Sequence, residues 1–224
     1  MAAFSYVQSA NTDNATTLAF GSNNTAGNLI VAFYDNFANA LPSSVTDSQG
    51  NTYTNVMNSA QTTSRVSIWV AQNIAAGANT VTFNGASSTF ADIIIAEYSV
   101  PADYLLAVQS LPQTGTINSL LQSFPEISVG SPGFPSEVML IVAIYDSNSF
   151  HGWTLSNGTV RETTHNPASA TSVLGDWDVV SPSGIVSTTL AGTGSGGGWL
   201  GCTIALLTLG GGGGGAGGSY TFAG

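Results

Sequence analysis

One apolar run occurs twice in this chain. Leu29-Ile30-Val31-Ala32-Phe33-Tyr34-Asp35 returns as Leu140-Ile141-Val142-Ala143-Ile144-Tyr145-Asp146, six of the seven residues identical at an offset of 111. Ser67-Ile68-Trp69-Val70 aligns with Gly175-Asp176-Trp177-Asp178 at an offset of 108, and Ile95-Ala96 with Ile204-Ala205 at 109. Solenoid repeats run about 20 to 50 residues, so this longer period describes two pseudo-repeated β units. It predicts a scaffold and says much less about a reaction.

The local signals agree. Residues 28–34 and 137–145 are apolar, rich in β-branched and aromatic side chains, and bounded by turn formers, as strands are. Residues 92–98 read as a third buried strand. Residues 65–71 and 79–83 alternate polar and apolar side chains, the pattern of a strand with one face in a core. Residues 74–78 between them read as a hairpin connection. Asp47-Ser48-Gln49-Gly50-Asn51 is a turn in which Gly50 is free to take positive φ. The second unit repeats the order, with a 153–162 hairpin around Asn157-Gly158 and strands at 172–180, 185–190 and 199–209. No amphipathic helix of useful length is visible.

The expected architecture is all-β: an antiparallel β-sandwich, jelly-roll or Ig-like, of about 12 to 16 strands. Residues 1–100 form the first unit and 137–209 the second. The joint, 101–136, carries five prolines and two short strands, at 104–108 and 127–129. Residues 1–209 read as one integrated sandwich, with two domains of about 100 residues as the alternative. Residues 210–224 are a glycine-rich tail. Glycine costs more backbone entropy to order than any other residue, so an ordered tail needs a partner. A neighbouring subunit gripping Tyr220 and Phe222 is the expected one.

Charge narrows the function classes. Only 6% of residues are charged, against roughly 25% in an ordinary domain. Arg65 and Arg161 are the only basic side chains beside twelve acids, for a net charge of −10. Nucleic acid and anionic membranes both require clustered Lys or Arg, so neither is an expected partner. Cys202 stands alone in an apolar run and cannot form an intrachain disulfide. The first six residues lack the basic and apolar regions of a secretory signal. An outward-facing composition without an export signal fits a protein assembled in the cytoplasm and released by lysis, as virion proteins are.

Catalytic chemistry is poorly supplied. His151 and His165 are the only histidines, and no Gly-x-Ser-x-Gly elbow accompanies them. Asp176 and Asp178 share a face opposite Trp177, which reads as a solvated strand face with a core tryptophan. Asp92 and Glu97 should face opposite ways, unlike a glycosidase pair. A secreted carbohydrate-active enzyme stays a third possibility only because such sandwiches host enzymes of that kind. Asp13, Asn14 and the Asp47 turn offer oxygens without a calcium-loop pattern. Calcium is compatible with the acidity but unsupported, and no other metal or cofactor is expected. The cluster to watch is Phe150-His151-Gly152-Trp153, the counterpart of residues 37–41. Such aromatics stack on a sugar, dock into a partner, or fold back over the sandwich end.

Val45-Thr46-Asp47-Ser48-Gln49-Gly50-Asn51-Thr52-Tyr53, then Ile68-Trp69-Val70-Ala71-Gln72-Asn73-Ile74 and Gly77-Ala78-Asn79-Thr80-Val81-Thr82, resembles an uncharacterised family. Its members are β-sandwich proteins of bacterial surfaces and of tailed-phage virions, in minor tail and decoration roles. The resemblance covers residues 25–100 clearly and the second unit loosely. It implies an outward-facing structural or adhesive module, and no catalytic position carries over. The expectation is therefore a non-enzymatic virion structural protein, a capsid decoration or cement protein of a bacteriophage. It would act at the virion surface as a homo-oligomer among other virion proteins. The alternative is a glycan- or receptor-binding adhesin of a phage tail or bacterial surface, using the loops near Trp153.

Overall fold

The computed structural model describes residues 4–37, 40–60, 64–102, 104–109, 115–116, 121–123, 127–129, 137–146, 151–166, 170–180, 184–186, 189–193 and 198–208. These carry nineteen strands and no helix, and every pairing is antiparallel. The tail, with Tyr220 and Phe222, lies outside the described residues, as does Phe150.

In the first half, β1 (Ser5–Asp13), β3 (Leu29–Phe37), β5 (Tyr53–Ala60), β6 (Ser64–Ala71) and β8 (Ala91–Ser99) form a sheet in the order β1-β8-β3-β6-β5. A small sheet, β2-β7-β4, joins β2 (Thr17–Ala19), β7 (Thr80–Asn84) and β4 (Ser44–Asp47). In the second half, β9 (Tyr104–Gln109) and β10 (Gly115–Thr116) both pair with β19 (Gly198–Thr208). That sheet continues through β13 (Glu137–Asp146) and β16 (Ala170–Val180) to β15 (Thr159–Asn166). Two small sheets complete this half. One runs β11 (Leu121–Ser123), β18 (Thr189–Thr193), β14 (His151–Leu155); the other pairs β12 (Ile127–Val129) with β17 (Gly184–Val186). The orders β1-β8-β3-β6-β5 and β9-β19-β13-β16-β15 correspond, and no described sheet mixes strands of the two halves.

The large sheets meet face to face. Leu29, Val31 and Phe33 pack with Met139, Ile141, Ala143 and Tyr145 in a core shared by both halves. On its other side the first sheet presents Ile30, Ala32 and Tyr34 to Val81 and Phe83 of the small sheet. The second presents Val142, Ile144 and Val173 to Trp153 of a small sheet. The central strands are thus buried on both faces, which is why they read as unbroken apolar runs.

The layering overturns three local expectations. Strands β6 and β7 do not form a hairpin, because β6 pairs with β3 and β5 while β7 pairs with β2 and β4. Residues 74–78 instead carry the chain from one sheet to the other, anchored by buried Ile74 and by the Asn24–Gly77 bridge. Residues 153–162 behave likewise, since β14 pairs with β18 and β15 with β16. Gly158 has φ 111°, and a Cβ there would collide with the Asp176 carbonyl, so close approach as well as turning requires glycine. The polar alternation of β6 marks no solvent face either. Ser67 is wholly buried, donating to Asn58 Oδ1 at 2.8 Å and accepting from Trp69 Nε1 at 2.6 Å.

The repeated run also holds a surprise in register. Ile30, Ala32 and Tyr34 face away from the other half, whereas their sequence counterparts Ile141, Ala143 and Tyr145 face towards it. A one-residue slip turns every side chain to the opposite face. In a strand with two apolar faces, that slip leaves the composition unchanged.

Candidate functional site

Four polar constellations survive the packing of these layers. The first is a carboxylate hub near the start of β3. Glu97 on β8 is fully buried and accepts four hydrogen bonds: Gln8 Nε2, Asn24 Nδ2 and Asn28 Nδ2 at 2.7 Å each, and the Thr25 backbone N–H at 2.8 Å. The register shift between Tyr6 and Gln8 in β1 aligns Gln8 with Glu97. Around this hub, Gly27 N–H donates to the Ile74 carbonyl at 2.9 Å and Ile74 N–H to the Asn28 carbonyl at 3.1 Å. They tie residues 24–28 to the β6–β7 crossover. Beside them opens a cavity of about 690 Å³, lined by residues 25–28, 72–73, 99–102 and Tyr104.

The second constellation is the turn after β4. Asp47 accepts from the backbone of Gln49 and Asn51 and from the side chains of Asn51, Tyr53 and Asn79, at 2.7 to 3.1 Å. Burial raises this carboxyl, but the hydrogen bonds from Asn79, Asn51 and Tyr53 outweigh it and hold it below the usual carboxylate range. The expected positive φ of Gly50 is 75°. This is an Asx-type turn, the reading preferred from sequence.

The third lies between the halves. Asp35 on β3 and Asp92 on β8 are directly opposed and fully buried, and the Ser172 hydroxyl of β16 donates to Asp35 Oδ2. Burial, then the neighbouring Asp92 charge, push the Asp35 carboxyl well above its ordinary value, while Ser172 pulls the other way. Exposed Asp13 opposes Asp92 from β1. The pair thus retains a proton above the pH at which a free carboxyl loses it.

The fourth holds one of the chain's two basic side chains. Arg161 Nε and Nη2 donate to Asp176 Oδ2 and Oδ1 at 2.8 and 2.9 Å, and the guanidinium carbon sits 4.3 Å from the Tyr6 ring centre. Asp176 is buried, so the solvated face expected around Trp177 is not what forms. Instead, Asp176 looks into the layer between the halves, where Arg161 neutralises it. Glu162 accepts from Ser9 Oγ at 2.5 Å and from Asn11 Nδ2, fastening β15 to β1. A cavity of about 480 Å³ opens here among Phe4, Tyr6, Arg161 and Trp177.

Of the residues singled out from sequence, His151 opens β14 and Trp153 is buried against Val142, Ile144 and Val173. Trp153 therefore folds back into the core. The hub at Glu97 and the 690 Å³ cavity escaped sequence reasoning. Their one local signal is the cluster of amides, Asn23, Asn24 and Asn28, just ahead of an apolar strand.

Among the described residues, no group of three or more His, Cys, Asp and Glu is arranged to hold a metal ion. No described helix is long and apolar enough to cross a membrane. No family model matches the chain, and searches of curated proteins and of solved structures also find no match.

Proposed function

We propose that this protein is a non-enzymatic virion structural protein, a decoration or cement protein of a bacteriophage capsid that works by contact as a homo-oligomer. The observation carrying this reading is where the carboxylates go. Glu97, Asp47 and Asp176 are each engaged by hydrogen-bond donors that position turns or strands, and Asp35 is sealed between the halves. These four carboxylates are engaged in holding the framework. The acidic, lysine-free surface disfavours nucleic acid and suits an exterior face.

The test is the solution mass of the chain, full-length and truncated after Leu209, with sedimentation of each alongside capsids. The reading expects an oligomer or a capsid-bound species that truncation abolishes. Identical monomers that ignore capsids would sink it.

A further inference from the structure

We propose that Asn157-Gly158, in the bend between β14 and β15, is a site of spontaneous deamidation with water as its co-reactant. This goes beyond the decoration reading and does not depend on it. One dipeptide, placed by the fold in two unlike settings, carries the inference.

Asn-Gly occurs twice in the chain, at Asn84-Gly85 and at Asn157-Gly158. In such a pair the glycine nitrogen attacks the asparagine side-chain carbonyl carbon, unhindered by a Cβ of its own. A carbon–nitrogen bond forms and closes a cyclic imide. The bond to Nδ2 breaks, and ammonia leaves with the proton that the glycine nitrogen gives up. Water then opens the imide at either carbonyl, giving aspartate or isoaspartate. Each conversion replaces a neutral amide with a carboxylate, adding one negative charge to a chain of net charge −10.

The first copy is held away from this reaction. Asn84 is the last residue of β7, in register with Ser44 of β4. Extended backbone keeps the Gly85 nitrogen away from the Asn84 side-chain carbon. The Asn84 carbonyl accepts from the Ser43 N–H at 2.8 Å and from the Ser43 hydroxyl at 3.1 Å. Its Nδ2 donates to Ser44 Oγ at 3.2 Å and to Thr46 Oγ1 at 3.0 Å. Closing the imide there requires the strand end and the side-chain bonds to be given up together.

The second copy lies outside any strand. Residues 156–158 form a bend, and all three are exposed. Gly158 takes φ 111°, so the chain turns at the attacking nitrogen itself. Asn157 makes a contact of its own, but an exposed amide exchanges a contact for water at little net cost. The base that draws off the proton and the water that opens the imide both reach the bend from solvent.

The experiment incubates the full chain at mildly alkaline pH, folded and in urea, and follows its chymotryptic peptides over time by mass spectrometry. Gly158→Ala is unsuitable as a control, because a Cβ there would collide with the Asp176 carbonyl. Asn157→Gln serves instead, since the longer side chain closes an imide far more slowly from the same exposed position. The expected result is conversion at Asn157 roughly tenfold faster than at Asn84 in the folded chain, with similar rates in urea. The early acidic species on anion exchange should disappear with Asn157→Gln. The proposal is overturned if Asn84 converts as fast as Asn157 in the folded chain, if Asn157 stays intact while the chain in urea converts, or if the early acidic species survives Asn157→Gln.

Discussion

Strand β8 buries a carboxylate near each end, and the two are treated in opposite ways. Glu97 is met by four N–H donors and needs no neighbouring cation. Asp92 lies opposite Asp35, so two buried acids face each other, and the Ser172 hydroxyl donates to Asp35. Converging donors make a buried charge tolerable; opposed like charges make a proton the cheaper answer. The first arrangement shapes a loop and the wall of a cavity. The second gives the contact between the halves a dependence on pH.

The largest expected effect tests the first end. Glu97→Ala leaves four donors facing a void, and about 3 to 5 kcal/mol of stability should vanish in urea unfolding. A loss below about 1 kcal/mol would mean that water replaces the carboxylate and that the hub is not structural. Next comes Arg161→Ala, which strands buried Asp176 without its two-pronged partner. A loss of about 3 kcal/mol is expected, largely recovered when Asp176→Asn is added; a double variant as unstable as the single one would contradict the pairing.

Asp35→Asn probes the other end of β8. A carboxyl whose folded pKa is raised holds its proton longer in the folded state, so its contribution is full below about pH 4. That contribution then falls as pH rises through the folded pKa. Its steepest slope is about 1.4 kcal/mol per pH unit for one proton. Urea midpoints between pH 4 and 8 should therefore decline less steeply for Asp35→Asn than for the parent. Parallel curves would show that Asp35 ionises normally.

Asp47→Asn has the opposite sign and the smallest effect. Its depressed pKa means that stability is present above about pH 4 and lost as pH falls through the folded value. The variant should cost about 1 to 2 kcal/mol at pH 7 and flatten the acid limb. An unchanged acid limb would remove Asp47 from the account.

Some of this was legible in advance. Residues 28–34 and 137–145 announced buried strands, and the Asp47 turn was recognisable from its amides and Gly50. Sheet membership was not, as β6–β7 and β14–β15 show: a short polar connection looks the same whether it closes a hairpin or crosses between sheets. The roles of Glu97 and Asp35 were hidden too. An acid inside an apolar strand does not reveal whether donors or another acid await it, because those groups come from residues 8–28 in one case and from Asp92 and Ser172 in the other.

The sequence by itself determined an all-β chain with doubly covered central strands and a sparsely charged, acidic surface, since strand propensity and composition are local quantities. Tertiary structure alone decided which face of each repeated strand looks inward, because two apolar faces carry no register. It also decided which acids are neutralised by donors, by Arg161 or by a proton, and that a cavity opens beside Glu97. Each of these depends on groups brought together from distant parts of the chain.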